Sequence, residues 1–103
     1  MSKKDELEEK LLRFALPALY KRLVDIFSML NLHPHDVQAT VIKEESGFVV
    51  TLRFAADFSQ SISTHINFEQ ANNPDEEVTL FFEEAAEKCK TRLISDYYKM
   101  IKL

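Results

Sequence analysis

The sequence predicts an α+β fold in the order α-β-β-β-α, a three-stranded antiparallel meander with two long helices packed on one face. Three observations carry that expectation. Apolar residues recur at helical spacing over residues 2–31, and apolar and polar residues alternate in three short runs between positions 37 and 69. A helix start at Asn73-Pro74-Asp75-Glu76 then opens a second apolar stripe. At 103 residues the chain is expected to be a single domain, too short for two cores. Its expected parts are a helix and loop over 1–36, the sheet over 37–69 and a C-terminal helix over 74–102.

In the first part, Ser2 and Asp5 have capping-box spacing. Leu7, Leu11, Phe14, Ala18, Val24 and Phe27 follow one helical stripe, and Leu12, Leu16, Leu19, Leu23, Ile26 and Leu30 fill the adjacent one. Pro17 interrupts both stripes. It removes one hydrogen bond and disfavours helix at Leu16, so a kink or two consecutive helices is expected near it. Asn31-Leu32-His33-Pro34 ends the segment.

Val37, Ala39 and Val41 alternate with Gln38 and Thr40, and Phe48, Val50, Leu52 and Phe54 alternate with Val49, Thr51 and Arg53. Ser46-Gly47 is the expected two-residue turn, with the only glycine where a positive φ would be needed. That turn sets Thr40 opposite Arg53, Ile42 opposite Thr51 and Glu44 opposite Val49. A third strand at 61–69 follows, with Ile62, Thr64, Ile66 and Phe68 on one side. A connection over 56–60 sets Thr51 opposite His65 and Arg53 opposite Ser63; one two residues longer sets Arg53 opposite His65. Either register gathers Thr40, Thr51, Arg53, Ser63, His65 and Asn67 on the outward face. Those residues supply donors, acceptors, a cation and a titratable imidazole, and they form the candidate binding surface.

For the last helix, Asn73 is the expected N-cap, Pro74 the first helical residue and Glu76 the third. Val78, Phe82, Ala85, Cys89, Leu93, Tyr97 and Met100 make its apolar stripe, widened by Phe81, Ala86, Ile94 and Ile101. Charge is polarised along this stretch. Residues 69–87 carry seven carboxylates and no Lys or Arg, whereas residues 88–103 carry a net charge of +4. Acid at the start and base at the end complement the helix dipole.

Composition excludes several function classes. One glycine cannot build a phosphate-cradling loop or a dinucleotide fingerprint, so no cofactor is expected. One cysteine cannot build a disulfide framework or a cysteine zinc site, and Cys89, on an apolar stripe, reads as a reduced core thiol. A net charge of −4 argues against general nucleic-acid binding, which rests on clustered Lys and Arg. The element order is similar to that of double-stranded-RNA-binding domains, but the residues are not. Where that family opens its last helix with lysines, this chain has Pro74-Asp75-Glu76-Glu77, and no family is assigned. The start lacks a secretory apolar core, and Arg13, Lys21, Arg22 and Asp25 interrupt the most apolar region, so no membrane span is expected and the cytoplasm is the expected location.

Candidate chemistry is sparse. His33-Pro34-His35-Asp36 offers two imidazoles and a carboxylate, a donor set that suits zinc, copper or nickel, yet a catalytic metal wants three rigid ligands. The expectation is an ordinary loop. The carboxylate pairs Glu44-Glu45 and Glu83-Glu84 have no apolar pocket, and Ser59, Ser61 and Ser63 lack a glycine-flanked nucleophile turn. No catalytic residues are assigned. Geometry bears on assembly: helices of about 30 and 28 residues would be about 45 and 42 Å long, whereas a nine-residue strand covers about 30 Å. Either the first helix folds at Pro17 and leaves a kinked monomer, or the surplus helix surface faces a second copy; a homodimer is the favoured expectation. The functional expectation is a small cytoplasmic protein-interaction or regulatory module, not an enzyme, with a possible protein partner besides its own copy. The alternative is a small-ligand or metal-binding protein using the polar sheet face with His33 and His35.

Overall fold

Pro17 decides how the N-terminal segment folds. The computed structural model describes residues 9–55 and 59–101, and within them Lys10–Leu11 is a short strand, β1, followed by helices α1 (Leu12–Ala15) and α2 (Pro17–Met29). Leu16, between the helices, has φ −136° and ψ 76°, outside the α region as the residue before a proline tends to be. Pro17 is the first residue of α2, where its missing N–H has no helical partner to lose. The interruption is thus two consecutive helices rather than one bent one, and residues 10 and 11 are strand where helix was expected. Asn31 ends α2 with φ 62°, a left-handed conformation asparagine tolerates, and the Leu32 N–H returns to the Phe27 carbonyl at 2.9 Å. Ser2, Asp5 and Leu7 lie outside the described residues.

The sheet has four strands, one more than expected. β2 (Gln38–Glu44), β3 (Gly47–Phe54) and β4 (Gln60–Ile66) form the antiparallel meander, and β1 joins beside β2 to give the order β1-β2-β3-β4. Lys10 pairs with Val41 and Leu11 with Thr40. A two-residue strand within a helical apolar pattern carries no alternation of its own, which is why the sequence does not reveal it.

The first hairpin register differs from the expected one by two positions, and the second differs from its two expected alternatives by two and four. The first turn is Glu45-Ser46, so Thr40 pairs with Thr51, Ile42 with Val49 and Glu44 with Gly47. Across the next hairpin, Thr51 pairs with Ser63, Val49 with His65 and Arg53 with Ser61. Gly47 accounts for the first shift. It opens β3 rather than forming the turn, and a Cβ on it would overlap the Ile66 carbonyl oxygen and lie 2.9 Å from the Asn67 Cα. Only a residue without a side chain lets the start of β3 pass the end of β4 so closely. Glycine is needed here for close approach.

The core lies between one sheet face and the helices. Ala39, Val41, Val50, Leu52, Phe54 and Ile66 are buried on the sheet side, under Leu12, Leu19, Leu23 and Phe27 from the N-terminal helices. After β4 comes a five-residue helix, α3 (Phe68–Asn72), and then α4 (Glu76–Ile101). Val78, Phe82, Ala85, Ala86 and Cys89 of α4 are fully or nearly buried, as its stripe predicts; the side chains of Tyr97 and Met100 lie outside the described ones. Arg22 of α2 donates to the Thr79 hydroxyl of α4 at 2.8 Å, which ties the two long helices together. Among the described residues, no helix is long and apolar enough to cross a membrane.

The start of α4 differs from expectation by two residues. Asp75, not Asn73, caps it, with the Val78 N–H donating to Asp75 Oδ1 at 3.1 Å. Gln70 of α3 donates to both Asp75 oxygens, at 3.3 and 3.0 Å, and to Glu77 Oε1 at 3.0 Å. These bonds, the Gln70 side chain foremost, hold the Asp75 carboxyl below the usual aspartate range.

Gly47→Ala is expected to lower stability by about 3 kcal/mol, because the carbonyl it strikes belongs to backbone that cannot rotate away. Ser46→Ala, in the exposed turn, should stay within about 0.5 kcal/mol of wild type. Urea denaturation of both variants checks this pair; a Gly47→Ala protein as stable as wild type would falsify the close-approach role.

Candidate functional site

All the long helices lie on one side of the sheet. The thin dimension of the molecule, 18 Å, holds one sheet layer and one helix layer at about 10 Å spacing. Because side chains alternate along each strand, the other face is built from Gln38, Thr40, Ile42 and Glu44 of β2, Val49, Thr51 and Arg53 of β3, and Ser61, Ser63 and His65 of β4. A two-position slip keeps every side chain on its own face. Thr40, Thr51, Arg53, Ser63 and His65 therefore share this open face as expected, although their partners differ.

Asn67 does not belong to it. Its side chain caps α3, accepting from the Gln70 N–H at 2.7 Å while Gln70 Oε1 accepts from the Asn67 N–H at 3.0 Å. The strand, expected over 61–69, ends at Ile66, because this reciprocal box begins a helix that takes in Phe68 and Glu69. Asn67 and Gln70 at that spacing are the signal from which α3 could have been read.

The polar groups of the open face satisfy one another in three clusters. At the β1 side, Glu9 Oε2 accepts from the Thr40 hydroxyl at 2.5 Å and pairs with Arg53 Nη1 at 3.0 Å. Arg53 Nη1 also donates to Thr40 Oγ1 at 3.2 Å. Thr40, only 6 % exposed, is thus a buried relay between an acid and a base. The Thr40 hydroxyl, and after it Arg53, hold the Glu9 carboxyl below its ordinary value, against the opposing effect of burial. In the middle, the Thr51 and Ser63 hydroxyls are 3.0 Å apart. At the turn end, His65 Nε2 lies 3.2 Å from Ser46 Oγ and 3.8 Å from Glu44 Oε1. Half-buried Ile42 and Val49, paired across β2 and β3, sit among these clusters. Sequence reasoning missed Glu9, for which no signal existed without β1, and left out Glu44, Ile42 and Val49, which the same alternation places there.

The histidine cluster is occupied with holding a turn. Pro34–Asp36 is a single 3-10 turn; Asp36 Oδ2 accepts from the His33 N–H at 2.8 Å, and the stacked His33 and His35 rings are 4.8 Å apart. His33 Nδ1 accepts from the His35 N–H at 3.5 Å. Among the described residues, no three His, Cys, Asp or Glu side chains are grouped to hold a metal ion. Below the turn, the Cys89 thiol donates to the Asp36 carbonyl at 3.7 Å. Burial, helped by the Asp36 charge, pushes that thiol up to about 11, so it stays protonated and unreactive at neutral pH.

Glu9 yields a pH-dependent prediction. A carboxyl whose folded pKa lies below the ordinary 4.5 contributes stability fully above that value and loses it as pH falls through the folded pKa. Thr40→Val keeps the shape and removes the main hydrogen bond. We expect it to raise the Glu9 pKa towards 4.5, to cost about 1 kcal/mol at pH 7, and to flatten the stability profile below pH 4.5. Carboxyl chemical shifts and urea melts across acid pH check this.

The chain matches no protein-family model, and no curated protein or solved structure shows significant similarity to it.

Proposed function

We propose that this chain is a small cytoplasmic protein-interaction module that works as a homodimer, without catalysis of its own, and presents its open sheet face to a protein partner. The observation that carries this reading is the one-sided packing: a four-stranded sheet has helices over one face only. Its other face has half-buried Ile42 and Val49 set among hydroxyls and charges. Such a mixed surface suits a protein more than a small molecule, which needs a concave pocket to bury most of its area. Thr51, Arg53, Ser63 and His65 are the members a partner could touch, whereas Thr40 acts from beneath by positioning Arg53. The protonated Cys89 thiol and the turn-bound His33 agree with a non-catalytic role. Exposed apolar side chains at Phe14, Met29, Leu80 and Ile94 supply surplus surface for association.

Light scattering at micromolar concentration is expected to give about 24 kDa, twice the chain mass of 12.0 kDa; 12.0 kDa at every concentration overturns the homodimer. For the face, wild type and the double variant Arg53→Ala, His65→Ala are immobilised side by side. Proteins retained by the first should be lost from the second, and equal retention removes the face from this reading.

A further inference from the structure

We infer that two copies of this chain join edge to edge through β4, continuing the sheet across a two-fold axis at Ser63. The inference rests on the homodimer proposed above and specifies where the two copies meet. The sheet has two edges of unlike character. β1 occupies one beside β2, but among the described residues no strand pairs with the outer edge of β4. Alternate residues of an antiparallel strand turn their N–H and C=O groups to that side, a ready template for another strand. Edges exposed to water are ordinarily blunted by lysine, proline or a bulge. β4 reads Gln60-Ser61-Ile62-Ser63-Thr64-His65-Ile66 and has neither lysine nor proline, and its pairing with β3 runs unbroken over all seven residues.

The strand is also self-complementary. Antiparallel pairing about Ser63 sets Ser61 against His65 of the second copy and Ser63 against Ser63 on the open face. On the core side it sets Ile62 against Thr64 and Gln60 against Ile66. No like charges meet, and each apolar side chain meets a small or neutral polar one. With the axis perpendicular to the sheet, the helices of both copies lie on one side.

The helix layer fits the same axis. α4 returns antiparallel to β4, because a groove of about 360 Å³ is lined by Phe54 and Gln60 together with Glu87, Lys88, Thr91 and Arg92. Thr79 of α4 faces α2 through Arg22. Nine residues on, at about 100° per residue, Lys88 points the opposite way, towards the β4 edge. Glu84 lies there too, 3.4 Å from Lys88. The two-fold therefore lays α4 beside its copy in reverse order, acidic half against basic half. The helix dipole does not account for this polarity by itself, since its effect fades within the first turn. Glu84 stands about two turns into the helix. An antiparallel copy brings Lys88 to the side on which Glu84 lies.

Cross-linking at the axis tests the pairing. Directly opposed residues of an antiparallel pair have Cα atoms about 4.5–5.5 Å apart, within the range of about 4.4–6.8 Å that a disulfide spans. Ser63→Cys, mildly oxidised with copper–phenanthroline, should run as a covalent dimer of about twice the 12.0 kDa chain. Wild type, with Cys89 buried, and a control Ser28→Cys on the exposed side of α2 should not. Circular dichroism establishes that each variant is folded. Glu84→Lys and Lys88→Glu should each weaken dimerisation about tenfold, and the double swap should restore it. A dimer by light scattering that does not cross-link at Ser63, or cross-links equally at Ser28, overturns this pairing and leaves the homodimer standing. A monomer throughout overturns both.

Discussion

One missing N–H organises the molecule. Pro17 cannot donate to the carbonyl four residues before it, and Leu16 is pushed out of the α region. A continuous helix would carry residue 10 about 10 Å beyond Pro17 along the α2 axis. The break instead lets the chain double back, so that Lys10–Leu11 pairs with β2 and α1 buries Leu12 in the core. Two features follow. Glu9 arrives beside Thr40 and Arg53, completing a polar cluster with them. The β2 side of the sheet is also covered at Thr40 and Val41, so that among the described residues β4 keeps the longer unpaired strand edge.

The faces of the sheet were legible where its registers were not. Alternation with period 2 assigns each side chain a face, and an error of two positions leaves that assignment intact. Thr40, Thr51, Arg53, Ser63 and His65 accordingly share a face although each expected pairing was displaced. In the first hairpin the displacement came from Gly47. In sequence, glycine after serine between two alternating runs signals a turn, but its use here is contact with the Ile66 backbone, a long-range fact no local pattern carries. Helix starts show the same limit. Asn73-Pro74 satisfies capping rules as well as Asp75 does, and Gln70 tips the choice by fastening its amide to the Asp75 carboxylate. That contact in turn depends on α3, whose Asn67–Gln70 box sits where strand alternation also continues.

The open face is more self-sufficient than a list of its polar residues suggests. Arg53 is matched by Glu9, Thr51 by Ser63, and His65 by Ser46 and Glu44. A partner that covers these groups must preserve their bonds or replace them, since a buried polar group left without one costs about 1–3 kcal/mol. Association across this face, as proposed, would draw its driving force from the apolar side chains of Ile42 and Val49, while the matched pairs would decide which surfaces are tolerated.

The β4 edge is governed by the opposite logic. Its outward N–H and C=O groups are bonded to water in a lone chain, and another strand replaces that water with bonds of fixed spacing and direction. Pairing there leaves Thr51–Ser63 and the Glu9 cluster as they are, because edge contacts use backbone and face contacts use side chains. Edge and face can therefore be engaged together without competing for the same groups. Ser63 is the residue where the two meet: its backbone belongs to the edge and its hydroxyl to the face. A small side chain at that position serves both, since it holds Thr51 without obstructing a strand laid alongside.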